Sequence, residues 1–343
     1  MTIGGRSSGH IRLQDVAQRA GVSMKTVSNV VHGYQHVSAQ TRERVQAAID
    51  ELGYRPNLTA RRLATGRTGM IALALPEMDQ PYFAEIARLI GEEATRRGYR
   101  ILIEQTLGEV EAERAVLRDR AEGLVDGVIF HPVRIGTVEI SRIQPETPLV
   151  LLGEAALPLT ADHVMIDNAA AARDAVRLLL HQGRRRIAFL AAVRDDITAS
   201  TRVRLLGYQE ALVDAGIAPD PDLVFESRSF ALDDGVRVVS QALDTGVDFD
   251  AIFCRDDLFG LAAMRALAAA GRSVPDDVSV LAWDDTAFAR YSTPPLSSVT
   301  PDKKALVSTA FDLLVDRIGG FDGLGRHLLT PYSITQRATT SPA

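Results

Sequence analysis

Cysteine is nearly absent from this 343-residue chain. The one copy, Cys254, excludes a disulfide framework and a cysteine-ligated zinc site. No uninterrupted apolar run approaches the roughly 18 residues that span a bilayer. The first ten residues are polar and glycine-rich, so no secretory signal is read there and a cytoplasmic location is expected. Phosphate-cradling loops are missing too, because neither G-x-x-x-x-G-K-[ST] nor a G-x-G-x-x-G after a strand occurs. Gly5-Arg6-Ser7-Ser8-Gly9 spells a nucleophile motif, but no strand precedes it. His32 and His36 straddle Gly33, so they do not share a helix face as zinc ligands would. Cys254 ends an apolar strand and reads as a small core residue. No catalytic residue, metal or cofactor is expected, and the chain does not read as an enzyme.

What is present is ordinary globular material, 46% hydrophobic and 24% charged, long enough for two or three units. Charge is unevenly spread. Residues 1–68 hold ten basic against four acidic side chains, a net +6, while the other 275 hold 28 against 40, a net −12. A basic head on an acidic body suits a polyanion-binding module joined to something that must not bind polyanions. Chance in an arginine-rich chain explains the asymmetry equally well.

The head reads as three short helices after a loose tail at 1–10. Leu13–Ala20 places Val16, Ala17 and Ala20 on one face and ends at Gly21. Ser23 suits the N-cap of Met24–His32, and Ser38 that of a third helix running to Gly53. Helices joined by a three-residue turn containing glycine match a helix-turn-helix, assigned to residues 11–56. Residues 57–68 then form a linker, where Leu58–Ala64 is too short to be a stable helix alone. From Met70 strands and helices alternate. Strands are read at Met70–Leu75, Arg100–Glu104, Gly127–Phe130, Leu149–Leu152, Ile187–Ala191, Ala251–Cys254 and Val278–Trp283. Helices are read at Phe83–Arg97, Ala169–Gln182, Arg204–Ala215 and Leu258–Ala270, and a last strand-like stretch at Leu328–Gln336. Short apolar strands with helices between them imply parallel sheets in a doubly wound α/β body.

Several ordered motifs carry a resemblance. RLQDVAQRAGVSMKTVSNVVHG, HVSAQTRERVQAAIDELGYRPN and LTARRLA, followed by QPYFAEI, VDGVI, IDN, RLLGY, AIFCRDD, VPDDVSVLAWDD and TPPLSSV, resemble the lac repressor (LacI/GalR) family over nearly the whole chain. The resemblance implies a DNA-binding head, a hinge helix and a periplasmic-binding-protein-like body at 69–343. That body has two doubly wound lobes, one about 69–165 plus 293–324, the other about 166–292 plus 325–343. It further implies a homodimer on palindromic double-stranded DNA, with a small-molecule effector, a sugar or sugar derivative, between the lobes. The tail ATTSPA offers no leucine heptad, so a dimer rather than a tetramer is expected.

Carried over by position, Met24 and Lys25 become the main base-reading pair, and Asn29 a third base reader where many relatives have arginine. Lysine donates to guanine O6/N7, methionine offers apolar contact to a thymine methyl, and asparagine favours adenine. Ser23, Thr26 and Ser28 become phosphate contacts. In the linker Leu63 becomes a minor-groove wedge, Arg61 a phosphate contact and Asn57 a cap, while small Ala60 lets two hinge helices approach. In the body Phe83, Phe230 and Trp283 take ring-stacking positions, and Arg204, Asp256 and Asp284 take polar ligand positions. Tyr82 and Ser200 stand behind them. Asp256 replaces the usual asparagine, and Arg134 and Lys303 add cations near the pocket. They imply either an acidic effector or positions outside it.

Two other classes share parts of this pattern. A solute-binding transport component has the same lobes but needs export and has no use for a basic head. A sugar-processing enzyme would need a nucleophile or two placed carboxylates, for which Asp256 and Asp284 are the available pair.

Overall fold

In the computed structural model, residues 11–31, 34, 36–54, 67–119, 123–142, 147–154, 158–193, 198–229 and 231–340 are described. The chain divides into two compact units, Met1–Thr68 and Gly69–Ala343.

The first unit holds α1 (Leu13–Ala20), α2 (Met24–Val31) and α3 (Ala39–Leu52). Its core is small: Val16, Ala17, Ala20, Val27, Val30, Val45, Ala48 and Tyr54. Local chemistry sets the helix ends. Asp15 Oδ2 accepts the Arg12 backbone N–H at 2.7 Å. Gly21 and Gly53 close α1 and α3 at φ 63°, where a side chain would be strained. Ser23 and Ser38 cap α2 and α3 by accepting the N–H groups of Thr26 and Thr41.

The second unit is built on two six-stranded sheets. The N-lobe sheet runs β11-β5-β4-β3-β1-β2, all parallel, from β1 (Met70–Leu75), β2 (Arg100–Gln105), β3 (Gly127–Phe130), β4 (Leu149–Leu152), β5 (Asp162–Met165) and β11 (His327–Leu329). Alternation along β1 sends Ile71, Leu73 and Leu75 against α4 (Pro81–Arg96) and α12 (Lys303–Ile318). Ala72 and Ala74 face the layer of α5 (Val110–Asp119) and α6 (Thr137–Ser141). The C-lobe sheet runs β12-β10-β9-β8-β6-β7 from β6 (Ile187–Val193), β7 (Val224–Ser227), β8 (Ala251–Cys254), β9 (Ser279–Trp283), β10 (Ser297–Pro301) and β12 (Tyr332–Thr335). Only β12 is antiparallel. One face packs on α7 (Asn168–His181) and α8 (Ala199–Asp214). The other packs on α9 (Leu232–Asp244), α10 (Asp257–Ala269) and α11 (Ala287–Tyr291). Cys254 is buried in that second layer, as a core reading requires, and burial pushes its thiol well up.

Two expectations need correction. The stretch Leu328–Gln336 is not one strand, because the chain breaks at Thr330-Pro331 and places β11 in one sheet and β12 in the other. Proline cannot donate to a ladder, so the break falls there. The lobe boundaries move with it: β10 belongs to the C-lobe sheet and β11 to the N-lobe sheet, so the crossings lie at 301–303 and 329–332, not at 293 and 325. Three strands escape the apolar pattern. Asp162–Met165 opens on a fully buried aspartate, Val224–Ser227 is a short edge, and Ser297–Pro301 buries hydroxyls that are hydrogen-bonded. No helix of the described residues is long and apolar enough to cross a membrane.

Candidate functional site

The head presents one helix face to solvent. In α2 Val27 and Val30 turn into the core, which leaves Ser23, Met24 and Lys25 exposed and Thr26, Ser28 and Asn29 half-exposed. Met24 is 54% exposed, a large apolar side chain turned to solvent. Lys25 makes no hydrogen bond or ion pair with any described residue, so its ammonium is available to a partner. Ser23 is already engaged: its hydroxyl caps α2 and lies 2.9 Å from the Thr26 hydroxyl. Asn57, Ala60, Arg61 and Leu63 lie outside the described residues, as does Phe230.

The body holds a cavity of about 180 Å³ at the carboxyl ends of the parallel strands, the usual place for a ligand in open α/β sheets. Its polar wall starts from Arg204 on α8. Nε donates to Asn168 Oδ1 at 2.9 Å and one Nη donates to the Arg255 carbonyl at 2.8 Å. The guanidinium carbon sits 3.9 Å from the centre of the Trp283 ring. Those contacts fix the planar group and leave N–H donors for a ligand. Glu154, after β4, accepts from the Asn168 amide. Burial raises its carboxyl while the Arg204 charge opposes the rise. Asp284, after β9, is buried at φ 97° and lines the same cavity. Its backbone N–H donates to the Val299 carbonyl at 2.9 Å. A positive φ on an aspartate costs of order 1–3 kcal/mol and persists where surroundings enforce it.

The apolar wall is aromatic. Phe83 packs edge-on against His131 at 5.0 Å between ring centroids, and Tyr82 packs edge-on against Phe83 at 5.3 Å. Burial pushes the His131 imidazole down to about 4, so it is neutral near pH 7. Gly153, at φ 80°, lies so close to that ring that a Cβ would stand 2.6 Å from it. Only glycine fits.

The structure thus gathers Phe83, Ser200, Arg204, Asp256, Trp283 and Asp284 around one cavity, with Tyr82 and Arg134 beside them. Two of these, Trp283 and Asp256, sit differently from the expectation, and Lys303 takes the second of its two readings. Trp283 is 1% exposed with one face under Arg204, which makes it a cushion for the guanidinium rather than an open stacking platform. Asp256 is not a free carboxylate, because Oδ1 caps α10 through the Phe259 N–H at 2.8 Å and Oδ2 accepts from Arg255 Nε at 2.8 Å. Lys303 leaves the cavity wall altogether: its buried ammonium pairs with Glu85 and lines a separate cleft. Arg134 does line the cavity and donates Nε to the Gly108 carbonyl at 3.2 Å. Its loop hangs on Glu113, whose buried carboxylate accepts the backbone N–H groups of Val133, Arg134 and Ile135. Sequence reasoning missed Glu154, Asn168, His131 and Arg255. All but Asn168 closely follow apolar strands, and Asn168 stands in the IDN motif, so the strand-end rule was the signal available.

Comparisons with known proteins match both units. Residues 12–57 match the family described as bacterial regulatory proteins, lacI family, and residues 176–340 match a periplasmic binding protein-like domain. The chain is 37% identical to the HTH-type transcriptional regulator CelR of Thermobifida fusca, over 90% of this chain and 92% of that protein. It is 32% identical to the catabolite control protein A of Streptococcus mutans, over 96% of this chain and 98% of that protein. Among solved structures, a lac repressor dimer bound to operator and the anti-inducer ONPF aligns with a TM-score of 0.84 at 29% identity, covering 97% of this chain and 99% of that one. A CelR–cellobiose complex aligns with a TM-score of 0.71 at 34% identity, covering 96% and 99%.

Proposed function

The chain belongs to the lacI family of bacterial regulatory proteins, and we propose from that premise how this member works. It is a sequence-specific DNA-binding transcriptional regulator, not an enzyme. In our reading it is a cytoplasmic homodimeric repressor on a palindromic operator, and a small neutral polyhydroxylated effector, a sugar or sugar derivative, sets its affinity for DNA. The observation that carries the effector class is the make-up of the cavity wall. Arg204, Glu154 and Asp284 offer donors and acceptors for hydroxyls, and aromatic rings offer cover for C–H faces. With Lys303 neutralised by Glu85, the case for an acidic effector rests on Arg134 alone. The solved CelR complex with cellobiose, a neutral sugar, supports the same class. Residues 11–56 would read DNA, 57–68 would form the hinge, and the rest would bind effector and dimerise. Asn57, Ala60, Arg61 and Leu63 keep the roles the family resemblance implies, as does Phe230.

The test is operator binding by the full-length protein titrated with a panel of neutral mono- and disaccharides, cellobiose included. Asp284→Ala should abolish the response to the active sugar and leave operator affinity without sugar nearly unchanged, because the head folds around its own core. An unaltered response in the variant places the effector elsewhere. At the other end, Lys25→Ala should relax base preference at one position of each half-site, at about 1–3 kcal/mol. A uniform loss on all sequences would make Lys25 a phosphate contact instead.

A further inference from the structure

We propose that the effector-free protein holds Asp284 as the neutral acid, and that an effector donating hydroxyls to this carboxyl binds with release of its proton to solvent. This rests on the reading of the cavity as the effector site. No donor among the described residues reaches the Asp284 carboxyl, although it is buried and lines the cavity. Among the described residues, charged and titratable groups act on it or share its cavity from several elements: Tyr82 on α4, Glu77 before α4, His131 and Arg134 after β3, Glu154 after β4, Arg204 on α8, Arg255, Asp256 and Asp257 after β8, and Lys303 on α12. The cations are largely committed elsewhere. Arg255 is paired with Asp256, Lys303 with Glu85, and Arg204 is shared between Glu154 and Asp284. A buried carboxylate with neither a protein donor nor a cation of its own among the described residues is better off protonated. Burial is the main cause that pushes Asp284 up to about 7. Arg204 and Lys303 oppose the rise, and Asp257 and Asp256 add to it.

Hydroxyl donors from a bound effector favour the charged form, so the proton leaves as the effector enters. The sign follows. Effector affinity is full above pH ~7 and falls as the pH drops through that value, by about tenfold from pH 8 to pH 6.

Trp283 is the single tryptophan and the direct neighbour of Asp284, which provides a readout that needs no effector. Its fluorescence in the full-length, effector-free protein should change between about pH 5.5 and about pH 8.5, with a midpoint near 7. Asp284→Asn should remove this transition while keeping all seven histidines, and asparagine tolerates the positive φ. Lys303→Gln, which removes an opposing cation, should move the midpoint to higher pH. Calorimetry of the active sugar in phosphate and in imidazole at about pH 6.5 should then read about three-quarters of a proton released per site. The same transition in wild type and Asp284→Asn overturns the proposal. So does a flat profile accompanied by sugar binding without proton release. If the transition is present and no sugar binds, the neutral acid stands and the effector reading fails.

Discussion

Replacing Asp162 with alanine is expected to destabilise the body by about 3–5 kcal/mol, as breaking a buried ion pair does when it strands the partner charges. Asp162 is fully buried at the start of β5. Its carboxylate accepts two bonds from Arg317 at 2.9 Å each, and from the Arg326 backbone and side chain at 2.8 to 3.2 Å. This one group therefore joins α12, β5 and the entry to β11. Both guanidiniums also lie over the Phe321 ring, at 4.8 and 4.3 Å. Burial works to raise the carboxyl, but the two arginines outweigh it and hold it down to about 2. The linkage sign is that of a depressed acid: its stabilisation is complete above the ordinary aspartate value of about 3.9 and is lost as the pH falls toward 2. Urea unfolding at neutral pH and near pH 3 checks both parts. A loss under about 1 kcal/mol at neutral pH, or one that grows on acidification, would contradict the account.

Arg204→Met should cost effector affinity about 3 kcal/mol, roughly a hundredfold or more, because a fixed guanidinium supplies charge-assisted bonds of about 1.5–3 kcal/mol each. The loss has a second source. Without Arg204, Glu154 and Asp284 lose a charge that opposes the rise of both, and they rise further. Trp283 supplies an independent check, because the cation over its ring disappears and its emission should shift. Sugar titrations of wild type and variant measure the first effect. An affinity loss under threefold would make Arg204 a scaffold for Asn168 and the Arg255 carbonyl only.

Legibility differed sharply between the two ends of the molecule. The head could be read almost residue by residue, because its three helices are set by local chemistry: Ser23 and Ser38 as caps, Gly21 and Gly53 as stops, and valines at helical spacing. The parallel strands of the body were readable for a related reason, since strands covered on both faces become apolar runs. The strands that were missed are those whose buried residues are polar. Asp162 and Ser298 are inside only because Arg317, Arg326 and Asp257 meet them there, and these partners lie far away in sequence.

The same distinction governs the cavity. The order of the motifs along the chain was enough to name Arg204, Asp256, Trp283 and Asp284 as neighbours around one cavity. It said nothing of their electrostatic state. A sequence lists carboxylates and guanidiniums, but which cation neutralises which carboxylate depends on distances of a few ångströms between elements brought together by the fold. The sequence left Lys303 in the pocket or outside it, and its pairing with Glu85 on α4 decides the question; Asp256 read as a ligand carboxylate, but α10 and Arg255 take its oxygens. Composition, periodicity and motif order settle which elements form and which strand ends meet. Only the packed tertiary structure decides that Asp284 is left in the wall without a donor among the described residues, because that depends on what the surrounding side chains have already bonded to.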